Sequence, residues 1–325
     1  MCLYPRLIDN RKYKPTKKNG YNPPPPPSDP RVLYVPVGCG QCIECRTKKS
    51  NQWRIRLIEE VRTDNTGNFV TLTFDENKLE EIKKNINKSN YYSYEIDNEI
   101  ASYAVRHFLE LWRKHHKKSV KHWLITELGS TKTERIHLHG IIFTDKKEQI
   151  EKIWRYGYVY LGKWVNEQTI NYISKYVTKL DKHHKEYNSK IFCSKGIGSN
   201  YLNRPTSHTN DFKDTETNET YKTRSGLKLG LPIYYRNKLW TDDERERLWT
   251  NRLDKEERWV LGAKIDLKHP ESEKHYKNAV EDARRLNQAW GYGNDKKNPE
   301  RKKYEEKRKK LKQLTYIRAQ EKISK

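Results

Sequence analysis

Nowhere in the 325 residues is there a run of about 18 apolar side chains, so no membrane-spanning helix is expected. The opening residues, MCLYPRLIDN, lack the apolar core of a secretory leader. The chain is therefore expected in a reducing cytoplasm, where its five cysteines do not form structural disulfides and a clustered set reads as metal ligands. Negative charge is in deficit: 43 Asp and Glu stand against 67 Lys and Arg, a net charge of +24. A surplus this large repels itself unless a polyanion offsets it, and nucleic acid does so by releasing its counterions. Aromatic residues reach 11%, with 22 Tyr and 9 Trp, and flat rings among cations suit stacking on unpaired bases. A basic, aromatic-rich globular protein without a nucleic-acid role has the same composition, so the motifs have to decide. The length allows one sizeable catalytic domain with appendages, or two small domains.

Residues 1–30 read as irregular, with an unbroken proline run, Pro23 to Pro27, that favours an extended spacer. Helical spacing of Trp53, Leu57, Ile58 and Val61 predicts a helix over 48–62, and Phe69-Val-Thr-Leu-Thr-Phe74 predicts a strand. The polar, Asn-rich stretch 83–94 reads as a loop, and Ile100, Ala104, Phe108, Leu111 and Trp112 as a helix. Two strands are expected over 123–127 and 136–143, then a short helix near 148–154, a strand near 158–164 and a helix over 167–179. Residues 208–223 read as polar and flexible. Residues 296–325 are dominated by Lys, Arg and Glu and read as a solvated helix or a disordered tail. No repeat is present. This order of elements fits the α+β class, with a central antiparallel sheet flanked by helices. Three parts are expected: a Cys/Pro-rich segment over 1–50, a catalytic domain over 51–240 and a basic, mostly helical region over 241–325.

The sharpest motif is Arg135-Ile-His137-Leu-His139-Gly140. Residues two apart on a strand share a face, so His137 and His139 present two imidazoles side by side while Leu138 turns to the core. Two neutral imidazoles can hold one divalent cation. Two ordinary histidines on a half-exposed strand fit the same tripeptide. Glu127, at the end of the preceding predicted strand, is close enough across a hairpin to add an oxygen ligand, and such a set leaves coordination positions for a phosphate oxygen. The second motif is Tyr172-Ile-Ser-Lys175-Tyr176-Val-Thr-Lys179, with two tyrosines one helical turn apart and each followed three residues later by a lysine. A phenol has an unperturbed pKa of about 10 and needs a nearby cation to act as a nucleophile on phosphorus. An amphipathic helix that uses Tyr for packing is the plainer reading of that segment alone.

In this order, Phe69-Val-Thr-Leu-Thr-Phe74, His137-Leu-His139 and Tyr172-x3-Tyr176-x2-Lys179 resemble the three-motif set of HUH endonucleases. Met1-Cys2, Cys39-Gly-Gln-Cys42-Ile-Glu-Cys45-Arg46, Glu127-Leu-Gly129 and Gly230-Leu-Pro-Ile-Tyr-Tyr235 resemble replication initiators of gokushovirus-type microviruses, over roughly residues 1–240. The departure is Leu128, where that family has an aromatic residue. The resemblance implies a metal-dependent endonuclease that nicks one strand at a phage origin for rolling-circle DNA replication. A tyrosine becomes linked to the 5′ phosphate, a 3′ hydroxyl is left to prime synthesis, and the product strand is later rejoined. It implies Mg2+ or Mn2+ on His137 and His139, with Glu127 as third ligand. Tyr172 and Tyr176 take the nucleophile role and Lys175 and Lys179 the assisting role. The implied partners are single-stranded DNA, phage origin DNA, and a helicase and replication machinery of the bacterial host, in whose cytoplasm the protein would work.

Cys2, Cys39, Cys42 and Cys45 form a candidate structural zinc site, since four thiolates suit a closed tetrahedral site. Free buried thiols are the alternative, and Cys193 reads as a small hydrophobe. Gly157-Tyr-Val-Tyr-Leu-Gly162-Lys163 has the spacing of a phosphate loop, but Trp164 follows where a Mg2+-binding Ser or Thr is required, which excludes an ATPase. Three other functions share parts of the pattern: a plasmid-type rolling-circle initiator or mobilisation nickase, a non-catalytic origin-binding protein, and an RNA- or ribosome-associated factor. The last leaves the paired Tyr-x2-Lys spacing without a reason.

Overall fold

The computed structural model describes residues 1–27, 29–86, 93–129, 135–162, 165–180, 187–269 and 271–294. In chain order the elements are β1 (Arg6–Asp9), β2 (Tyr34–Val37), α1 (Ile43–Thr63), β3 (Gly67–Leu72), α2 (Glu76–Ile86), α3 (Ser93–His116), β4 (Lys121–Leu128), β5 (Ile136–Phe143), α4 (Lys147–Ile153), β6 (Val159–Leu161), α5 (Glu167–Thr178), β7 (Ile191–Cys193), β8 (Thr220–Lys222), β9 (Lys228–Gly230), α6 (Ile233–Leu239), α7 (Asp242–Asp254), β10 (Glu257–Val260), β11 (Ala263–Asp266) and α8 (Ser272–Ala289). Among the described residues no helix is long and apolar enough to cross a membrane.

The central sheet has five strands in the order β6-β3-β5-β4-β7, antiparallel throughout. The α+β class and the central antiparallel sheet are as expected. Strand alternation divides the sheet's side chains between two cores. Val70, Leu72, Leu124, Leu138 and Ile142 pack under α2, α3 and α4, against residues such as Phe108, Trp112 and Trp154. Trp123, Ile125, Ile141 and Phe143 pack on the opposite face under α1 and α5, against Leu57, Ile58, Ile170 and Ile173. His137 and His139 share the parity of Ile141 and Phe143, so they lie on the α1/α5 face, beyond the apolar part of that core.

Gly140 shows how tightly this hairpin is set. A Cβ there would overlap the Trp123 carbonyl oxygen and lie 2.8 Å from Leu124 Cα, so only glycine lets β4 and β5 close up beside His139.

A third core lies on the far flank of α1, where Ile55 meets Tyr201, Tyr221, Leu231, Tyr235, Trp240 and Leu248. Fully buried Glu59 is satisfied there by Arg204 at 2.6 Å and by the Tyr221 hydroxyl at 2.5 Å. A fourth joins residues far apart in sequence: Leu3 and Cys42 pack with Val260 on β10 and Ala283 on α8.

Three expectations need correction or qualification. Residues 83–94 are not one loop: α2 runs to Ile86, because Leu79 and Ile82 bury a helical face, and α3 begins at Ser93. Residues 208–223 fold into short 3-10 turns (Pro205–Asn210 and Asp214–Glu216) that lead into β8. Their polar side chains bind the local backbone, as where buried Asn210 donates to the carbonyls of Asn218 and Thr220. The basic tail expected over 296–325 lies outside the described residues, whereas α8 before it is helical as expected.

Candidate metal centre and tyrosine pair

The β4–β5 ladder places Glu127 directly opposite His137, and Ile125 opposite His139. Because paired residues share a face, the carboxylate and both imidazoles converge. Glu127 Oε2 lies 3.3 Å from His137 Nε2 and 2.9 Å from His139 Nε2. The three ligand atoms lie within 4.8 Å of one another. Each ring is oriented from behind. His137 Nδ1 meets the Arg135 carbonyl at 3.2 Å, and His139 Nδ1 meets Thr71 Oγ1 at 3.0 Å, across the β3–β5 ladder. Such outer contacts fix the tautomer of a metal-binding histidine.

This arrangement is itself a test of fit. A carbonyl can only accept, so Nδ1 of His137 carries the proton and a neutral ring turns the Nε2 lone pair toward Glu127. Two acceptors then face each other unless a proton or a cation lies between them. The donor set of one carboxylate oxygen and two imidazole nitrogens suits a divalent cation with open positions. Burial alone would raise the Glu127 carboxyl, but hydrogen bonds from His137, His139 and Lys179 prevail and hold it well below the usual carboxylate range. Burial pushes the His139 imidazole down, against the pull of Glu127. Both directions favour the ligand forms, an ionised carboxylate and a neutral ring.

Helix α5 carries the tyrosines to this point. Asn166 caps its N-terminus by accepting from the Thr169 amide at 3.0 Å. Ile170, Ile173 and Val177 form the stripe that seats it on the sheet, and Ser50 of α1 donates to the Ser174 carbonyl at 2.8 Å. Tyr176, three residues beyond Ile173 on the same stripe, is buried and stacks on His139 with ring centroids 4.4 Å apart and planes 9° from parallel. Tyr172 lies at the edge of the stripe and is 49% exposed. The Tyr176 hydroxyl donates to the Tyr172 hydroxyl at 2.6 Å. Burial first, and then this bond, push the Tyr176 phenol above its usual range.

The two lysines part company. Lys179 caps α5 in a non-helical conformation and its ammonium pairs with Glu127. Lys175, still inside the helix, is exposed and has no ion pair among the described residues. The structure thus brings Glu127, His137, His139, Tyr172, Tyr176 and Lys179 together and leaves Lys175 in solvent. Two further groups escaped sequence reasoning: Thr71, which orients His139, and Phe69, whose ring faces His139 and meets Tyr172 and Tyr160 edge-on at 6.1 and 6.3 Å. Both have the parity of the site face within the Phe69–Phe74 motif, which was the available signal. Tyr158 and Tyr160, beside this face at the β6 edge, are 65% and 49% exposed.

The phosphate-loop look-alike is a strand. Gly157 lies against the backbone of residues 73–75, Gly162 lies against the Phe69 ring, and β6 runs between them, so no loop cradles an anion there. Lys163 and Trp164 lie outside the described residues.

At the other end of α1, the sulfurs of Cys2, Cys39, Cys42 and Cys45 lie within 4.8 Å of one another. Backbone amides point at them: Tyr4 and Cys39 toward Cys2 Sγ at 3.3 and 3.2 Å, and Cys42 toward Cys39 Sγ at 3.3 Å. The neighbouring thiols of Cys2, Cys42 and Cys45 hold the Cys39 thiol below its usual range. Four sulfurs this close, with amide donors stabilising negative charge, fit a closed tetrahedral metal site. Cys193 stands apart and is exposed.

Comparison with known proteins points the same way. The replication-associated protein ORF2 family matches residues 67–181, which contain the carboxylate, both histidines and both tyrosines. The chain is similar to the replication-associated protein ORF2 of Spiroplasma virus 4, 26% identical over 196 residues, or 53% of this chain and 58% of that protein. The chain thus spans less than two thirds of that relative's length. No solved structure matches.

Proposed function

We propose that this protein is a metal-dependent nicking endonuclease and strand-transferase that initiates rolling-circle replication of a small single-stranded DNA phage. The observation that carries this reading is the meeting, at one end of one sheet face, of two imidazoles and a carboxylate with a hydrogen-bonded pair of tyrosine hydroxyls and a lysine. Glu127, His137 and His139 would hold Mg2+ or Mn2+, which when bound supplies Lewis acidity at the scissile phosphate. Cys2, Cys39, Cys42 and Cys45 would hold a structural Zn2+. The nicking domain is assigned to residues 51–240, with 1–50 and 241–325 as its appendages.

The residues divide the chemistry as follows. Half-buried Phe69 and exposed Tyr158 and Tyr160 offer flat surfaces to unpaired bases. Tyr172, the more accessible hydroxyl, attacks phosphorus first. Its oxygen bonds to the 5′ phosphate as the bond to the 3′ oxygen breaks, its own proton passes to solvent, and the Tyr176 hydroxyl donates to the oxygen that develops charge. Lys179 offsets negative charge beside Glu127 and can protonate the departing 3′ oxygen, while Lys175 keeps an assisting role open from solvent. After one round of synthesis Tyr176 cleaves the regenerated origin, and the freed 3′ hydroxyl resolves the Tyr172 linkage and closes the circle. Each step exchanges one phosphodiester for another, so no external energy source is required. Duplex unwinding falls to a helicase of the host, in the cytoplasm of which the protein would act.

The test is incubation with single-stranded phage origin DNA and Mn2+, followed by peptide mapping of a covalent adduct. An adduct on Tyr172 or Tyr176 is expected. Sequence-selective binding without an adduct would instead make the protein a non-catalytic origin binder.

A further inference from the structure

We propose that a pocket between α6 and α7, lined by Arg236, Arg245 and Arg252, binds a phosphate group. Its volume is about 100 Å³, enough for one tetrahedral oxyanion, and Trp240, Leu248 and Ile233 supply apolar walls. It belongs to the third core, on the flank of α1 that faces away from the sheet, and neither the metal ligands nor the tyrosines line it.

Charge in this pocket is not balanced. Arg236 and Arg252 share a single carboxylate, Glu219. Arg245 pairs with Asp242, which Lys18 also engages at 2.7 Å. Lys48 of α1 lies close enough that Arg236 and Arg252 disfavour its charged form, and it has no ion pair of its own among the described residues. The Arg236 Nε–H is buried without a hydrogen-bond partner. Burial, and then the charge of Arg252, push Arg236 down to about 10, a large displacement for a guanidinium. A buried donor left unmade and cations crowded beyond their carboxylates both incur a free-energy cost that an oxyanion removes. Several guanidiniums around one small cavity match the several oxygens of phosphate better than the two of a carboxylate. Two sources have that chemistry: a backbone phosphate of DNA held away from the nicking centre, and a free phosphate or nucleotide.

The experiment uses the full chain in EDTA, so it reads binding without cleavage and stays separate from the proposed nicking. Wild type, R245Q/R252Q and the milder R252Q, at a half-exposed arginine, are titrated with a single-stranded oligonucleotide at several salt concentrations. Melting is followed in inorganic phosphate against chloride at matched ionic strength. For a backbone phosphate, the variants lose about 0.7 from the slope of log K against log salt for the contact removed. For a free phosphate, that slope is unchanged, while phosphate raises the melting temperature of wild type more than that of either variant. If the slopes are equal and phosphate shifts all three proteins alike, the pocket binds no phosphate and the proposal falls. R252Q supplies both readings if the double variant does not fold.

Discussion

Replacing either tyrosine by phenylalanine separates the roles of the two hydroxyls. In Tyr176→Phe the ring that stacks on His139 at 4.4 Å is kept, and only the donor 2.6 Å from Tyr172 is lost. A hydrogen bond between neutral groups contributes about 1 kcal/mol, and one to a charged group about 1.5–3 kcal/mol. The part that appears only as charge develops on the Tyr172 oxygen is therefore about 1–2 kcal/mol, or roughly 5- to 30-fold in rate. Tyr176→Phe is thus expected to form the adduct on Tyr172 about 10-fold more slowly than wild type in single-turnover gels with a short origin oligonucleotide. Tyr172→Phe leaves only a buried hydroxyl with a raised pKa, so its adduct, on Tyr176, should form more slowly still. The double variant should form none, and neither single variant should circularise unit-length DNA. A Tyr172→Phe protein that outpaces Tyr176→Phe would refute the order of attack. A Tyr176→Phe protein as fast as wild type, beside a Tyr172→Phe protein with no adduct at all, would refute the two-nucleophile scheme.

His137→Ala and His139→Ala should abolish cleavage in Mg2+ or Mn2+ while sparing most DNA binding, which rests on distributed Lys and Arg; full cleavage by either in an oligonucleotide assay would remove the metal centre from the mechanism. Cys42→Ser, at a fully buried ligand position, should lose zinc by elemental analysis and lower the melting temperature by about 5 °C or more; a zinc-free wild type, or an unchanged melting curve, would count against the site. Gly140→Ala should destabilise the protein by about 3 kcal/mol in denaturant melts, because its Cβ would overlap the Trp123 carbonyl oxygen; wild-type stability would mean that the β4–β5 pairing is looser than described. With a net charge of +24, affinity for single-stranded DNA should fall steeply with salt; a nearly flat dependence would confine binding to a small patch.

What could be read in advance was local. The parity of His137 and His139 follows from strand alternation, and the seat of α5 from the spacing of Ile170, Ile173 and Val177. Glu127 was readable because a hairpin partner lies near in sequence. The equivalence of the two Tyr-x2-Lys units was not real: Lys179 leaves the helix at its cap and turns to Glu127, while Lys175 follows the helix into solvent. Thr71 was missed because its contact with His139 depends on β3 lying beside β5, a strand order that no local pattern encodes. The third core was hidden for a related reason. Tyr201, Tyr221 and Tyr235 look amphipathic in sequence and become core residues only where α1 supplies Ile55 and Glu59.

The fourth core sets a timetable for synthesis. Ile43, next to Cys42, donates its amide to Asn287, 244 residues further on, and Arg284 of the same helix reaches back to the Leu3 carbonyl. At about 5–20 residues per second a ribosome needs on the order of tens of seconds to cover that interval. Throughout that time the four cysteines can gather an ion, but their apolar side has no cover. The sheet, by contrast, completes its pairing once β7 has emerged. A nascent chain therefore carries a folded sheet for some time before its first residues find their permanent neighbours. During that interval the cysteine segment is the part most exposed to oxidants and proteases, so the supply of metal at the ribosome bears on the yield of finished protein.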